Sequence, residues 1–483
     1  VTSARRPFHL LRNSMFAGMT GASNILFLLL FLLVARYRGA EALGNIALGI
    51  AVANAVAFGL NMGVNSVAIR RIATDPESAT RTASQLMLCR LGISAVGTAL
   101  LLPLLALAFD DPLQRSMVLL FALSGVLRSI NMSSRALLQS IDRFASEAAV
   151  VFADAAAILV IGWGVLHFGG GEIALAQVFV VVRALIAIGY MIATPRLFPG
   201  LRWQFDAELS KWLLRTGLPL GIAIALSALY WQLDILMVSV WSTPLVTGLF
   251  GAAFRMVEGL RVAPDTLGAA FYPRLATSGA GDLEAFDEVF ARGCRHLLIA
   301  AAAAAVAMAA FGPQIVRLLY GADFTRAGYV LAALAAVPAM LFLATFAFVG
   351  LRALGRESLV MYVMVLAVGA KLLLGFLLIR RYGAHGATLT AIAGSLVLLA
   401  GVLAALWRVR GSLLGIPGVA ARLLVCAGIS IAAGLVLRDH SLTAAIAGSL
   451  LLFGAGLIWL RMFDATEIGW ARHQLRKLGG TTG

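Results

Sequence analysis

The segment "RMVEGLRVAPD", residues 255–265, places Arg255, Glu258, Arg261 and Asp265 inside a run of otherwise apolar and small residues. At about 100° per residue the four positions fall within an arc of roughly 120° on a continuous helix, so they share one face. Their charges cancel, and their spacings suit an internal ion-pair ladder. The same face also suits a solvated chamber, because charges in an apolar span either pair or meet water. A second stripe, Arg128, Asn131, Arg135 and Gln139, covers roughly 80° and contains no acid. Asp154 is a candidate partner for it from elsewhere in the chain. Arg183, Asp234 and Lys371 lie in three further apolar stretches. Arg90 and Arg422 stand near stretch ends, where a long side chain can reach the interface.

The six bases Arg128, Arg135, Arg183, Arg255, Arg261 and Lys371 outnumber the four acids Asp154, Asp234, Glu258 and Asp265. A surplus of fixed positive charge at low dielectric attracts anions, and guanidinium forks match phosphate oxygens in pairs. Asn54, Asn61 and Asn65 also share a face, offering amide donors and acceptors to sugar hydroxyls or, alternatively, to neighbouring helices. The substrate-facing candidates are therefore the six bases with Asn54 and Asn61. The four acids are candidates for coupling or gating. An amphiphile with a phosphate or acidic-sugar head fits this pattern, its head in the chamber and its tail in lipid.

Catalysis and cofactors are not expected. Cys89, Cys294 and Cys426 sit in separate stretches without metal-ligand spacing, and His9, His167, His296, His385, His440 and His473 are scattered over ends and connectors. There is no Walker motif, so a gradient of H+ or Na+ is the default energy source.

These side chains need helices to carry them across a bilayer. Of the 483 residues 61% are hydrophobic and 13% charged, with a mean hydropathy of +0.93; soluble domains carry roughly 25% charged residues. About 14 apolar stretches approach the roughly 20 residues that cross the hydrocarbon as helix. They run approximately over 15–36, 43–68, 85–109, 116–138, 147–167, 173–193, 213–240, 243–270, 293–312, 327–350, 359–380, 386–407, 419–437 and 442–461. None alternates like a barrel strand, and backbone groups in lipid must be satisfied within the segment. The first stretch is too long for a signal peptide and is read as retained.

No connector exceeds about 25 residues, too short for an extramembrane domain with its own core. "ATDPESATRTASQ", in the connector 69–84, reads as a solvated loop. The net charge of +15 is spread over such connectors and not gathered into a basic domain, which argues against nucleic acid as a partner. If the N-terminus is cytoplasmic, connectors and ends on that side hold 22 of the 38 Lys and Arg and the opposite side holds 8, the bias of the positive-inside rule. Both termini are then cytoplasmic.

"RNSMFAGMTGASN" from Arg12 aligns with "RTGLPLGIAIALS" from Arg215, and "AIRRIAT" with "FYPRLAT", both at an offset of 203 residues. "ALGNIALG" around Gly44 meets "LVTGLFGA" around Gly248 with a one-residue slip. If the similarity is more than chance, six spans separate the copies, so they run in the same direction about an axis along the membrane normal. The expected fold is all-α and integral to the membrane: an N-lobe over 1–203, a C-lobe over 204–410, and an extra helix pair with a tail over 411–483.

"RNSMFAGMTGASNILFLLLFLLVARYRGAEALGNIAL", "LYWQLDILMVSVWSTPLVTGLFGAAFRMVEGLRVAPDTLGAAFYPRLA", "LLYGADFTRAG" and "RRYGAHGATLTAI" together resemble the polysaccharide transporter family, over roughly residues 10–410. That family belongs to the superfamily of multidrug, oligosaccharidyl-lipid and polysaccharide exporters. The resemblance implies two six-helix lobes around a cavity that opens alternately to either side, with undecaprenyl-diphosphate-linked glycans as cargo. It places Asp234, in "YWQLD", at the family's aspartate in the seventh helix. Many members have 12 helices; 14 resembles the related lipid II flippases.

The expected function is flipping of an undecaprenyl-diphosphate-linked oligosaccharide across a bacterial inner membrane. The expected partners are that lipid, membrane lipids and other polysaccharide-assembly membrane proteins. A lipid II flippase is an alternative. A multidrug exporter is another, although it would be expected to show net acid in its cavity. A membrane glycosyltransferase or polymerase would need a sizeable catalytic loop.

Overall fold

The computed structural model describes residues 6–279, 281–412, 415–438, 440–460 and 462, with side chains from Ser23 onward. Among them there is no strand. The helices in order are α1 (Arg6–Gly59), α2 (Val64–Thr74), α3 (Ala79–Ala108), α4 (Pro112–Ser140), α5 (Phe144–His167), α6 (Glu172–Leu197), α7 (Ala207–Trp241) and α8 (Pro244–Gly259). They continue with α9 (Val262–Gly279), α10 (Leu283–Tyr320), α11 (Thr325–Ala333), α12 (Val337–Ala353), α13 (Glu357–Arg410), α14 (Ile416–Leu437) and α15 (Leu442–Trp459).

Eleven helical stretches among the described residues are long and apolar enough to cross a membrane. Two of these, within α1 and α13, turn sharply at Gly39 (φ 80°) and Gly383 (φ 54°), so each holds two spans. Glycine serves there because a Cβ at positive φ clashes with the backbone. Counting both spans of α1 and of α13 gives 13, and the remaining expected stretch, 243–270, falls on α8 and α9.

Three local expectations are corrected. First, the stretch 43–68 is not one helix: α1 stops at Gly59, Met62 (φ 51°) and Gly63 (φ 69°) reverse the backbone, and α2 resumes at Val64. Second, the loop expected over 69–84 is mostly helix, because α2 runs on to Thr74 and α3 starts at Ala79. Ser84 and Gln85 are buried rather than solvated. They anchor the segment before α7, with Ser84 Oγ donating to Arg202 O at 2.7 Å, Gln85 Nε2 donating to Gln204 O, and Ser210 Oγ donating to Gln85 Oε1 at 2.9 Å. Third, the charged segment 255–265 is not one helix, since α8 ends at Gly259 and α9 begins at Val262.

The chain divides into two compact units. The first comprises residues 1–259, 316–327 and 364–394. In it α1 packs on α4, α5, α7 and α8, and α4 packs on α6. Small residues set the closest approaches: a Cβ on Gly44 would overlap Pro244 O, and one on Gly248 would overlap Ala40 O. These are the two glycines that the internal repeat aligns, and here they meet. At the N-terminus of α7 the Asp206 carboxylate accepts from Leu209 N at 3.0 Å and pairs with Arg81. That backbone N–H, and then Arg81, hold its pKa below the usual carboxylate range.

The second unit comprises residues 260–315, 328–363 and 395–483. Its core stacks Phe286 on Phe290 at 5.8 Å and Phe290 on Phe346 at 5.2 Å between centroids. Arg410 closes the end of α13 onto Asp287 of α10 at 2.6 Å. The α14–α15 hairpin is pinned by Ser449 Oγ donating to Ser430 O at 3.1 Å.

Candidate functional site

The helices of the first unit bring a cationic cluster together from α4, α6 and α8. Arg128 and Arg135 are two turns apart on α4, Arg183 is on α6 and Arg255 is on α8. Arg128 Nη1 donates to Asn54 Oδ1 on α1 at 2.6 Å, and the guanidinium lies 5.9 Å from the Phe58 ring centroid. Arg183 Nη1 donates to Ser124 Oγ at 2.6 Å, with the Phe179 ring 5.3 Å away. Arg255 sits 4.2 Å over the Phe31 ring and pairs with Glu258 at 2.8 Å. Aromatic faces attract the cations without neutralising them.

Arg135 is held differently. Its Nε and Nη2 both reach Glu147 Oε1, at 3.0 and 2.7 Å, and Gln139 Nε2 adds a third donor at 2.9 Å. Asp154, on α5, lies within electrostatic range of Arg128 and Arg183. Arg128 also feels Arg135 and Arg255. The cluster thus sets four guanidinium groups against three carboxylates, Glu147, Asp154 and Glu258. Neither Arg128 nor Arg183 forms an ion pair with a described carboxylate.

Several buried polar atoms around this cluster have no hydrogen-bond partner among the described residues: Asn131 Oδ1, Asp154 Oδ1, Arg183 Nε, Tyr190 OH and Tyr320 OH. Leaving such a group unanswered costs about 1–3 kcal/mol each. A concentration of them beside surplus positive charge suits a polar ligand that presents both donors and acceptors.

The other expected residues are placed elsewhere. Lys371 does not face this cluster: Nζ pairs with Asp234 Oδ2 at 2.7 Å, donates to Tyr230 O at 2.9 Å and stands 4.0 Å over the Tyr230 ring. Lys371 is 2% exposed and Asp234 0% exposed, so the pair is a closed, electroneutral contact between α13 and α7. Asn61 and Asn65 serve Arg90, which is fully buried and does not reach an interface. Its guanidinium donates to Leu60 O, to Asn61 O at 3.0 Å and to Asn65 Oδ1 at 3.2 Å, and its Nε donates to Ser133 Oγ at 2.6 Å. Arg261 and Asp265 belong to the second unit, where they pair at 3.4 Å with half-exposed side chains. The shared face expected for residues 255–265 requires an unbroken helix, and the turn at Leu260 and Arg261 interrupts it.

Sequence reasoning missed Arg90, Glu147, Tyr190 and Tyr320. Glu147 had a readable signal, since it starts α5 just across a short turn from the last two turns of α4, within reach of Arg135 and Gln139. The two tyrosines carried none, because their relevance depends on which neighbours leave the hydroxyl unanswered.

Residues 33–328 match a family described as polysaccharide biosynthesis protein. No curated protein sequence matches the chain. Among solved structures it is similar to the lipid II flippase MurJ in an inward closed conformation, with a TM-score of 0.75 and 14% identity over 92% of this chain and 99% of that one. It is similar also to an inward-facing multidrug resistance MATE family transporter of the MOP superfamily, with a TM-score of 0.67 and 16% identity over 80% of this chain and 95% of that one. A MOP superfamily transporter from Pyrococcus furiosus, described by a binding pocket of reverse polarity, gives a TM-score of 0.61 and 14% identity over 85% and 96% of the two chains. At these identities the likeness is one of fold.

Proposed function

The chain belongs to the polysaccharide biosynthesis protein family, and on that premise we propose that it is a flippase moving an undecaprenyl-diphosphate-linked oligosaccharide across a bacterial inner membrane by alternating access. The observation that carries this reading is the cluster of Arg128, Arg183 and Arg255 inside a membrane-embedded unit, with surplus charge and unanswered donors. A diphosphate supplies the oxygens that two guanidinium groups without carboxylate partners need. The cargo's lipid tail stays in the bilayer, so only the head must cross low dielectric, and the fixed cations lower the cost of its charge. The protein carries without chemically altering its cargo, and no cofactor enters. Its N-lobe and C-lobe, joined to the C-terminal helix pair, rock about the central site, with both termini cytoplasmic.

Lys371 already neutralises Asp234, so that carboxylate needs no external cation. Coupling to an H+ or Na+ gradient then falls to Asp154 and Glu258, the acids that stand among the arginines. The test is flipping of a fluorescent undecaprenyl-diphosphate oligosaccharide in proteoliposomes. Alanine at both Arg128 and Arg183 is expected to lower the rate at least about 100-fold, the effect of removing charged hydrogen bonds worth roughly 1.5–3 kcal/mol each. Unchanged flipping by this double variant overturns the assignment.

Lipid II is a second cargo, favoured by the match to its flippase over 99% of that chain. Depletion separates the two: cells that lose only a surface polysaccharide support the first reading, and cells that lyse for want of wall support the second.

A further inference from the structure

The unanswered atoms around the arginines are not all of one kind. Arg183 Nε is a donor, and a phosphate oxygen satisfies it. Asn131 Oδ1 and Asp154 Oδ1 are acceptors, and a phosphate offers them nothing. The orientation of Asn131 is fixed, because its Nδ2 donates to Arg183 O at 3.1 Å and leaves the oxygen free to face another group. Tyr190 OH, which can donate or accept, is also without a partner and lies within electrostatic range of Arg135, Glu147 and Asp154. Asn131, Arg183 and Tyr190 are 8%, 3% and 7% exposed. Three helices, α4, α5 and α6, therefore set two buried acceptors and a hydroxyl next to guanidinium donors.

We propose that Asp154, Asn131 and Tyr190 form a subsite that reads the hydroxyl or acetamido groups of the sugar bonded to the diphosphate. The proposal rests on the flippase reading of the same cluster and adds to it the chemistry of the head beyond its phosphates. A sugar presents donors to the two acceptors while its phosphates engage Arg128 and Arg183. A lipid with a bare diphosphate leaves both acceptors unanswered and sets its own charge near Asp154, so the subsite rejects it. Sites built to hydrogen-bond a hydroxyl discriminate strongly against analogues that lack it, for this reason.

Binding of two lipids to the purified full chain, measured by native mass spectrometry, tests the subsite. The probes are undecaprenyl diphosphate and undecaprenyl-diphosphate-N-acetylglucosamine. The natural sequence is expected to favour the sugar-bearing lipid by about tenfold or more. Tyr190→Phe, nearly isosteric, lowers that preference severalfold. Asp154→Leu abolishes the preference, whereas Asp154→Asn, which keeps an acceptor oxygen, retains it. Arg183→Ala weakens both lipids together.

Equal affinity of the natural sequence for the two lipids overturns the subsite, since ordered water then answers the acceptors. Equal loss of both lipids in Asp154→Leu also overturns it, by making Asp154 a counter-ion alone, and leaves the flippase reading standing. Failure of the natural sequence to bind either lipid overturns both proposals.

Discussion

A cation inside a bilayer has to be answered, and this chain answers its cations in two ways. Lys371 and Asp234 neutralise each other's charge, at 2.7 Å and with almost no exposure. Arg128 and Arg183 are answered only by neutral groups, Asn54 and Ser124. The first arrangement is structural and the second is poised for a ligand, although the residues are of similar type and depth in the sequence. Breaking a buried pair by removing one partner typically costs 3–5 kcal/mol, while replacing both partners with apolar residues is often neutral. Lys371→Ala is therefore expected to destabilise the protein by about 3–5 kcal/mol, and Lys371→Met combined with Asp234→Leu to recover most of that loss. Thermal unfolding in detergent measures both, and a Lys371→Ala variant no less stable than the double variant shows that the pair is not closed. The sequence identified both residues but assigned Lys371 to the substrate, because the choice of partner is made by the packing of α7 against α13 and leaves no trace in local spacing.

Hydrophobic runs show where helices lie but not where they stop. The stretch 43–68 carries no charge, yet the backbone reverses at Met62 and Gly63. Ending a helix within an apolar stretch leaves carbonyls without partners, and Arg90 supplies donors to two of them. Its guanidinium takes Leu60 O, Asn61 O and Asn65 Oδ1 from the side of α3. Gly63 fits where a Cβ would overlap Gly217 O of α7, so the break is also a point of close helix contact. Removing Arg90 should thus act on the break before it acts on the rest of the fold. Arg90→Leu is expected to cost about 3 kcal/mol or more and to raise hydrogen exchange selectively over residues 60–74. Uniform exchange, unchanged over that segment relative to α3, counts against the capping role. Position near the end of an apolar stretch made Arg90 look like a side chain reaching for the interface. Only the coordinates of the break reveal carbonyls that need it.

At the level of the whole chain the all-helical membrane fold was readable from composition and run length, since the 14 expected stretches lie largely on helix, with breaks at 60–63 and 260–261. Gly44 and Gly248, which the sequence alignment paired, lie at a close approach of α1 and α8 in the first unit. Orientation is a separate matter, because it is decided by the charge on the connectors and not by the helices. Successive crossings alternate direction, and the topology expected from the sequence counts 43–68 and 243–270 as one crossing each. Four turns with glycine at positive φ mark suitable insertion points: Gly169 (φ 81°), Gly200 (φ 83°), Gly321 (φ 107°) and Gly355 (φ 68°). By alternation Gly169 and Gly321 share one side, and Gly200 and Gly355 share the other. The second pair is flanked by Arg196, Arg202, Arg352 and Arg356, which the positive-inside rule assigns to the cytoplasm. Fusions of a phosphatase that folds only outside the cytoplasm are expected to be active at Gly169 and Gly321 and inactive at Gly200 and Gly355. Activity at all four positions, or the reverse pattern, removes the basis for placing both termini in the cytoplasm, because that assignment rests on the positive charge of the connectors around Gly200 and Gly355.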